Sequence, residues 1–416
     1  MTDWALGIDV GTTGVRVVGL ERDGSLAGEA AAEMAEAGPD RRSPDVWAST
    51  LALALERLGG IVDLERIGAV AVDGTSGTVL GLDRGGAPVG TALMYNDAAE
   101  DPAIPDRIAR VAPADSAAHG ASSALARALV LQDRPGVRAI RHQADWIAGL
   151  LAEAPVPSDE SNALKTGYDP IAGTWPDWIG DTGLETDLLP AVVPAGTATG
   201  RTSGAFGLAQ GARLVAGVTD GCASFLATGA ARPGDGVTAL GTTLTLKLLS
   251  DRPVFAPAYG LYSHRIGDIW LAGGASNSGG GVLADAFSPD ALEALSARID
   301  PSADSGLDYY PLPRPGERFP ISDPVLEPRM TPRPDDDARY LHGLFEGMAR
   351  IESLGYRRLA ELGAPPLSAL YSVGGGAANT TWTAIRTRIV GVPQKQAEAT
   401  QACVGVARLA LPHLSG

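Results

Sequence analysis

Cysteine is almost missing from this chain: two residues in 416, Cys222 and Cys403. That excludes a disulfide framework and a cysteine-built zinc site, and it fits a reducing compartment. The five histidines, among them His119, His142 and His264, show no metal-ligand spacing. No run of roughly eighteen apolar residues occurs, so no transmembrane helix is expected. The first residues lack the charged and apolar regions of a signal peptide, and a cytoplasmic location is expected. Positive charge is scarce: 33 Lys and Arg against 49 Asp and Glu give a formal net charge of −16 and a pI near 4.7. This argues against nucleic acid or an anionic membrane as the main partner. The remaining composition, 45% hydrophobic and 20% charged, is that of a globular protein with room for two or three cores.

What the chain does have is one device used twice. Leu6–Gly14 is an apolar run through Asp9 into Gly11-Thr12-Thr13, followed by the run Val15–Leu20. Thr238–Thr243 repeats the pattern through Gly241-Thr242-Thr243 into Leu244–Leu249. Each is a predicted β-hairpin with a Gly-Thr-Thr turn. Glycine lets backbone approach a ligand closely, and threonine hydroxyls with backbone N–H groups suit phosphate oxygens. Two such hairpins predict a duplicated α/β fold gripping one polyphosphate. Two unrelated hairpins are the plain alternative, since Gly-rich turns are common.

Between and after the hairpins, strands alternate with helices. A strand is predicted over Ser25–Ala32. Ser43-Pro44 should open a helix, with Trp47, Leu51, Leu55 and Leu58 as its apolar stripe. The strand Ile67–Val72 delivers Asp73-Gly74-Thr75-Ser76-Gly77-Thr78 at its C-terminal end, where open α/β sheets place ligands. Ala92-Leu93-Met94 is predicted as a strand leading to Tyr95-Asn96-Asp97. Residues 100–210 are richer in Ala, Pro and short helices and look like an insertion. Leu214–Val218 is a strand ending at Thr219-Asp220-Gly221, with a helix over Cys222–Gly229. Residues 300–337 form a predicted long surface loop. A long helix follows over Arg339–Leu362, then a strand Ala369–Val373 running into Gly374-Gly375-Gly376 and a helix from about Thr380. The division expected is 1–211 and 212–416.

These residues resemble the FGGY carbohydrate kinases of the actin-like ATPase superfamily. The resemblance rests on Asp9-Val10-Gly11-Thr12-Thr13, Gly241-Thr242-Thr243, Val218-Thr219-Asp220-Gly221, and Gly374-Gly375-Gly376 with Asn379. It is similar above all to the compact D-ribulose kinase branch, formerly grouped with xylulose kinases, through Asp73–Thr78, Asn162–Tyr168 and Ser305–Pro313. Where larger members carry a Trp near the sugar loop, this chain has Tyr95-Asn96-Asp97. Where they carry a Lys in the inserted helix, it has Arg127.

The resemblance implies an actin-like, ribonuclease H-like duplicated core with a cleft between two domains. The first domain, residues 1–211, would bind sugar, and the second, residues 212–416, would bind ATP. It implies ATP and Mg²⁺ as cofactors, with a small sugar as the other partner. The chain would be a monomer or homodimer. Asp220 would be the general base. On residues alone an Asp capping the following helix is the commoner use, and one carboxylate can serve both. Asp9 would hold Mg²⁺ and lie against substrate; a turn-forming Asp is the bland alternative. Thr75, Ser76 and Asn96 would contact sugar hydroxyls, although a polar strand-end loop explains the first two equally well. Gly11, Thr12, Thr13, Gly241, Thr242 and Thr243 would hold phosphate. Asn277, in the run Gly273–Gly281, would wall the adenosine with Gly374, Gly375, Gly376 and Asn379. Cys222 is expected to be a small core residue. The function implied is phosphorylation of a ketopentose, D-ribulose first. A D-xylulose, other ketose or polyol kinase is the alternative, and a regulatory actin-like ATPase without a sugar pocket lies further off.

Overall fold

A computed structural model describes residues 4–414. The chain forms two compact units. The first comprises the residues up to Ala227, His264–Asp268 and the C-terminal segment from Gln401; the second comprises Thr228–Ser263 and Ile269–Thr400. The division therefore falls after Ala227, beyond the expected residue 211. The C-terminal segment belongs with the first unit because helix Ala402–Ala410 packs on strand Trp4–Val10 and on helix Asp220–Ala227.

The first unit is built on a six-stranded sheet in the order Leu26–Glu33, Gly14–Glu21, Trp4–Val10, Ile67–Gly74, Arg213–Val215, Ala198–Arg201. The first three strands are an antiparallel meander, and Trp4–Val10, Ile67–Gly74 and Arg213–Val215 run parallel. Strand Ile67–Gly74 is buried at every residue. It reads as a nearly unbroken apolar run because helices Gln143–Ala152 and Ala402–Ala410 pack against it. The predicted stripe of helix Pro44–Gly59 is buried as a whole, with the Trp47 ring edge-on to Trp146 at 6.1 Å. The inserted helices carry a separate small core around Ile108, Leu125, Leu129 and Ile179.

The second unit carries five neighbouring strands of a second sheet, in the order Ile269–Ser276, Leu244–Ser250, Asp235–Leu240, Ala369–Val373, Gln394–Lys395. Again a meander starts from the strand before a Gly-Thr-Thr turn, and that strand pairs in parallel with a later one, Ala369–Val373. These five strands repeat the order and directions of the first five of the first sheet, as the paired hairpins suggest. Helix Asp337–Glu361 covers the second sheet. It is anchored by the buried Glu352–Arg386 pair and by the Phe345–Trp382 stack at 5.3 Å.

Three local expectations need correction. Ala92–Met94 is not a strand; Leu93 only exchanges hydrogen bonds with Val79 in an isolated bridge. The loop over 300–337 is not purely superficial, since Leu312 and Phe319 are fully buried and Tyr309 nearly so. Phe319 packs against Gly274 and Gly355, and Tyr309 against Gly343 and Gly347. The helix expected from Cys222 begins at Asp220.

Glycines set the closest approaches in the first unit. A side chain at Gly405 would run into the Ala223 carbonyl of helix Asp220–Ala227, one at Gly7 into the Cys403 carbonyl, and one at Gly217 into the Val72 carbonyl. Backbone on both sides leaves nothing to yield. Overpacking of this kind costs about 1–3 kcal/mol. Gly405→Ala is therefore expected to lower the thermal midpoint by several degrees in a calorimetric scan. An unchanged midpoint would mean that the two helices are not held at this spacing.

Candidate active site

Three carboxylates meet at one end of the first sheet. Asp9 and Asp73 stand opposite each other in the parallel register of Trp4–Val10 and Ile67–Gly74. The next parallel strand, Arg213–Val215, leads to Thr219, which bridges to Gly74, and Asp220 follows as the first residue of its helix. The C-terminal ends of three adjacent parallel strands thus place three acids together, at the edge where such sheets bind ligands.

The electrostatics are unusual. Asp73 is completely buried, and neither of its oxygens accepts from any donor; its one side-chain neighbour for a hydrogen bond is the Asp9 carboxyl. Burial pushes its carboxyl well above the ordinary carboxylate range, and the charges of Asp9 and Asp220 push it further in the same direction. Two ionised carboxylates cannot share a hydrogen bond, whereas a protonated Asp73 can donate to Asp9. Asp9 is also pushed up by burial, against the opposing pull of Arg16, whose Nη1 lies 3.6 Å from Oδ2. Asp220 is part-exposed, and its Oδ1 accepts from the Gly221 N–H at 2.7 Å. Its carboxylate thus satisfies its own helix start and still reaches solvent.

The segment after Asp73 continues the pattern of unmet polar groups. The Ser76 and Thr78 hydroxyls and Gln143 Nε2 are buried without partners, a concentration that native interiors tolerate poorly. Thr75 is better satisfied. Its N–H donates to Gln143 Oε1 at 3.0 Å, and its hydroxyl lies 3.4 Å from the Val10 carbonyl. Asn96 is exposed, while Asp97 beside it is tied to Arg42 and to the Met94 N–H.

Sequence reasoning missed two supports of this edge. One is Gln143, which holds the Thr75 backbone. The other is a relay behind Asp220: Asp159 accepts from the Ser161 hydroxyl at 2.6 Å, and Ser161 Oγ in turn accepts from the Thr219 N–H at 3.0 Å. Both act across distances in sequence that no local pattern announces.

In the first unit the turn Gly11-Thr12-Thr13 is closed by the Gly11 N–H donating to the Gly14 carbonyl, and Thr13 is exposed. In the second unit three glycine segments converge at the end of strand Asp235–Leu240. Gly280 and Gly281 donate to the Gly241 and Thr242 carbonyls at 2.8 and 3.0 Å. Gly374, at φ +85°, lies so close to the Leu240 carbonyl that a Cβ would come within 2.9 Å of it. A Cβ on Gly375 would meet nothing, so open space faces it. Gly241 and Thr242 are exposed. Both asparagines already have structural work. Asn277 donates to the Gly316 carbonyl and accepts from Arg318 Nε. Asn379 caps helix Thr380–Val390 through the Trp382 N–H and donates to Ser296 Oγ.

Among the described residues no group of three His, Cys, Asp or Glu side chains is arranged to hold a metal ion. Mg²⁺ asks for less: one or two carboxylates, with waters and phosphate oxygens completing the shell. Asp9, with the unpartnered Asp73 beside it, fits that requirement. Cys222 is fully buried, as expected of a core residue. The Cys403 thiol is pushed up to about 12 by burial, with the charges of Asp9 and Asp73 adding to the effect, so it is no nucleophile at neutral pH.

Comparison with known proteins agrees with this geometry. Residues 236–412 match the model of the FGGY family of carbohydrate kinases, C-terminal domain. A xylulose kinase of Streptomyces rubiginosus is 26% identical over 93% of this chain and 82% of its own length. The crystal structure of xylulose kinase from Bifidobacterium adolescentis superposes with a TM-score of 0.81 at 21% identity, covering 100% of this chain and 93% of that one. Plasmodium falciparum glycerol kinase, solved with ADP, gives 0.81 at 15% identity over 99% and 90%. The duplicated actin-like fold implied by the sequence is thus the fold observed. No helix among the described residues is long and apolar enough to cross a membrane.

The position of Asp73 generates a pH prediction. Its folded-state pKa lies above the ordinary 3.8, so the folded chain holds a proton that the unfolded chain releases. The associated stability is present below about that value and is lost as pH rises through the raised one. Asp73→Asn, which cannot ionise, is expected to gain thermal stability relative to wild type progressively as the pH rises above the ordinary carboxylate range. Parallel melting profiles for the two proteins would show that Asp73 ionises freely.

Proposed function

We propose that this chain, whose second half is an FGGY carbohydrate-kinase domain, transfers the γ-phosphate of ATP to a hydroxyl of a ketopentose. The observation that carries the reading is the set Asp9, Asp73 and Asp220 at adjacent strand ends, next to the unmet hydroxyls of Ser76 and Thr78. A site for phosphate alone would favour backbone N–H groups and cations. A buried acidic edge suits a neutral polyol that must lose a proton, together with a divalent cation.

In this reading Asp220 accepts the proton of the attacking hydroxyl. Its exposure leaves it open to substrate, and the Asp159–Ser161–Thr219 relay fixes the backbone that carries it. Thr75, Ser76 and Asn96 bind sugar hydroxyls. Asp9 holds Mg²⁺, which when bound neutralises charge on the phosphates. The Gly11–Thr13 and Gly241–Thr243 turns offer N–H and hydroxyl donors to phosphate, and the loops at Asn277 and at Gly374–Asn379 wall the nucleoside. Because both asparagine side chains are engaged within the protein, their contribution is to shape those loops. The first unit thus carries acceptor, metal and base, and the second carries most of the nucleotide. The low cysteine content, with both cysteines buried, and the net negative charge favour operation in a reducing cytoplasm.

Two acceptors have specific support. The resemblance at Asp73–Thr78, Asn162–Tyr168 and Ser305–Pro313 favours D-ribulose. The Streptomyces relatives, at 26% and 25% identity over 93% and 99% of this chain, are xylulose kinases and favour D-xylulose. The two sugars differ only in configuration at C3, so one hydrogen-bond pair could decide between them.

Asp220→Asn is expected to lower sugar-dependent ADP formation by roughly 10²–10⁴ while leaving ATP binding nearly intact. Turnover near the wild-type rate would remove Asp220 from the chemistry. In a second measurement, kcat/KM is compared for D-ribulose, D-xylulose, glycerol and ribitol. One of the two ketopentoses is expected to lead. A polyol ahead by tenfold, about 1.4 kcal/mol in transition-state binding, would overturn the ketopentose assignment, and no stimulation of ATP turnover by any sugar would favour a regulatory ATPase.

A further inference from the structure

Arg127 stands in the inserted helix Ala124–Gln132 and is 1% exposed. Among the described residues no carboxylate lies within bonding distance of its guanidinium. Every hydrogen bond it makes goes to a main-chain carbonyl: Nε and Nη2 to Gly77 at 3.0 and 2.7 Å, and Nη1 to Tyr95 at 3.1 Å, Asp97 at 3.0 Å and Ser122 at 2.8 Å. Burial of a cation with no carboxylate bonded to it is expensive, and here burial pulls the guanidinium down to about 10 against the weaker attraction of Asp97. An apolar side chain could fill the same space without that cost.

What the arginine does that an apolar residue cannot is join two loops. Gly77 belongs to the turn after Asp73 that carries Thr75 and Ser76. Tyr95 and Asp97 flank Asn96. The planar fork of donors spans both at once. Gly77 is shaped for the joint: it sits at φ +84°, and a Cβ there would come within 2.8 Å of Arg127 Nη2. Asp97 is locked from its other side by Arg42, at 2.7 Å.

We infer that Arg127 is a positioning residue for acceptor selection: it fixes the 75–78 turn against the 95–97 turn and so sets the spacing between Ser76 and Asn96 that reads the sugar hydroxyls. This rests on the sugar-kinase reading above. Arg127 touches no substrate and acts only through the backbone it holds. A lysine there would bring one ammonium with a different geometry and could not grip both turns in one plane.

The test uses the full chain with Arg127→Met, Arg127→Lys and Gly77→Ala. Melting temperature, kcat, KM for ATP, and KM for D-ribulose and D-xylulose are measured for each. In Arg127→Met, KM for the preferred ketopentose is expected to rise at least tenfold while KM for ATP stays within twofold, and discrimination between the two epimers is expected to fall. Arg127→Lys should recover part of the loss, and Gly77→Ala should reproduce it from the other side of the joint. Should Arg127→Met fail to fold, the other two variants carry the same test. Folded variants with sugar KM and epimer discrimination unchanged, or with sugar and ATP KM rising together, overturn the inference while leaving the kinase reading in place. A wild-type protein inert towards every sugar removes both, and that result is visible before any variant is made.

Discussion

A fully buried carboxyl with no hydrogen-bond donor, placed opposite a second buried carboxyl, is the constraint around which the first unit is organised. Asp73 and Asp9 face each other because the parallel register of their strands leaves no alternative. In water the two would separate; inside the sheet burial and their mutual repulsion favour a retained proton. Everything that fixes the register serves this arrangement. Helix Ala402–Ala410 lies tight on strand Trp4–Val10 because Gly7 and Gly405 remove the side chains that would hold it off. Helix Asp220–Ala227 lies against the same helix, and this close packing brings Asp220 to the third strand end.

The second sheet shows what the chemistry adds to the fold. Counting back from each Gly-Thr-Thr turn, Asp9 corresponds to Ala239. The residue opposite Ala239 is Val373, where the first sheet has Asp73. The turn, the meander and the parallel partner persist, but the acids do not. One five-stranded pattern therefore occurs twice, and only the first copy carries the facing pair of acids at these positions. The second copy keeps glycines at Gly280 and Gly374, where backbones must nearly touch.

Much of this was legible in the sequence, for physical reasons that differ from residue to residue. The hairpins were visible because period-two apolar runs flank glycine turns. Helix Pro44–Gly59 was visible because its stripe follows the helical period. Asp73 stood out as a polar residue closing an apolar strand. Arg127 was noted only as a departure from a family pattern, and its grip on two loops needed coordinates. Gln143 and the Asp159–Ser161 relay carry no local signal, since each acts on backbone more than fifty residues away. The segment over 300–337 misled because its prolines and charges mask Phe319 and Tyr309, whose burial depends on glycines in distant elements.

In the proposed reaction this acidic edge activates a sugar hydroxyl towards ATP. Phosphorus NMR of the wild-type protein with Mg-ATP and either D-ribulose or D-xylulose tests it most directly. The account predicts a new sugar phosphomonoester signal growing in equal amount with ADP, and little free phosphate. ADP accompanied by inorganic phosphate alone, at the same rate with and without sugar, would contradict it.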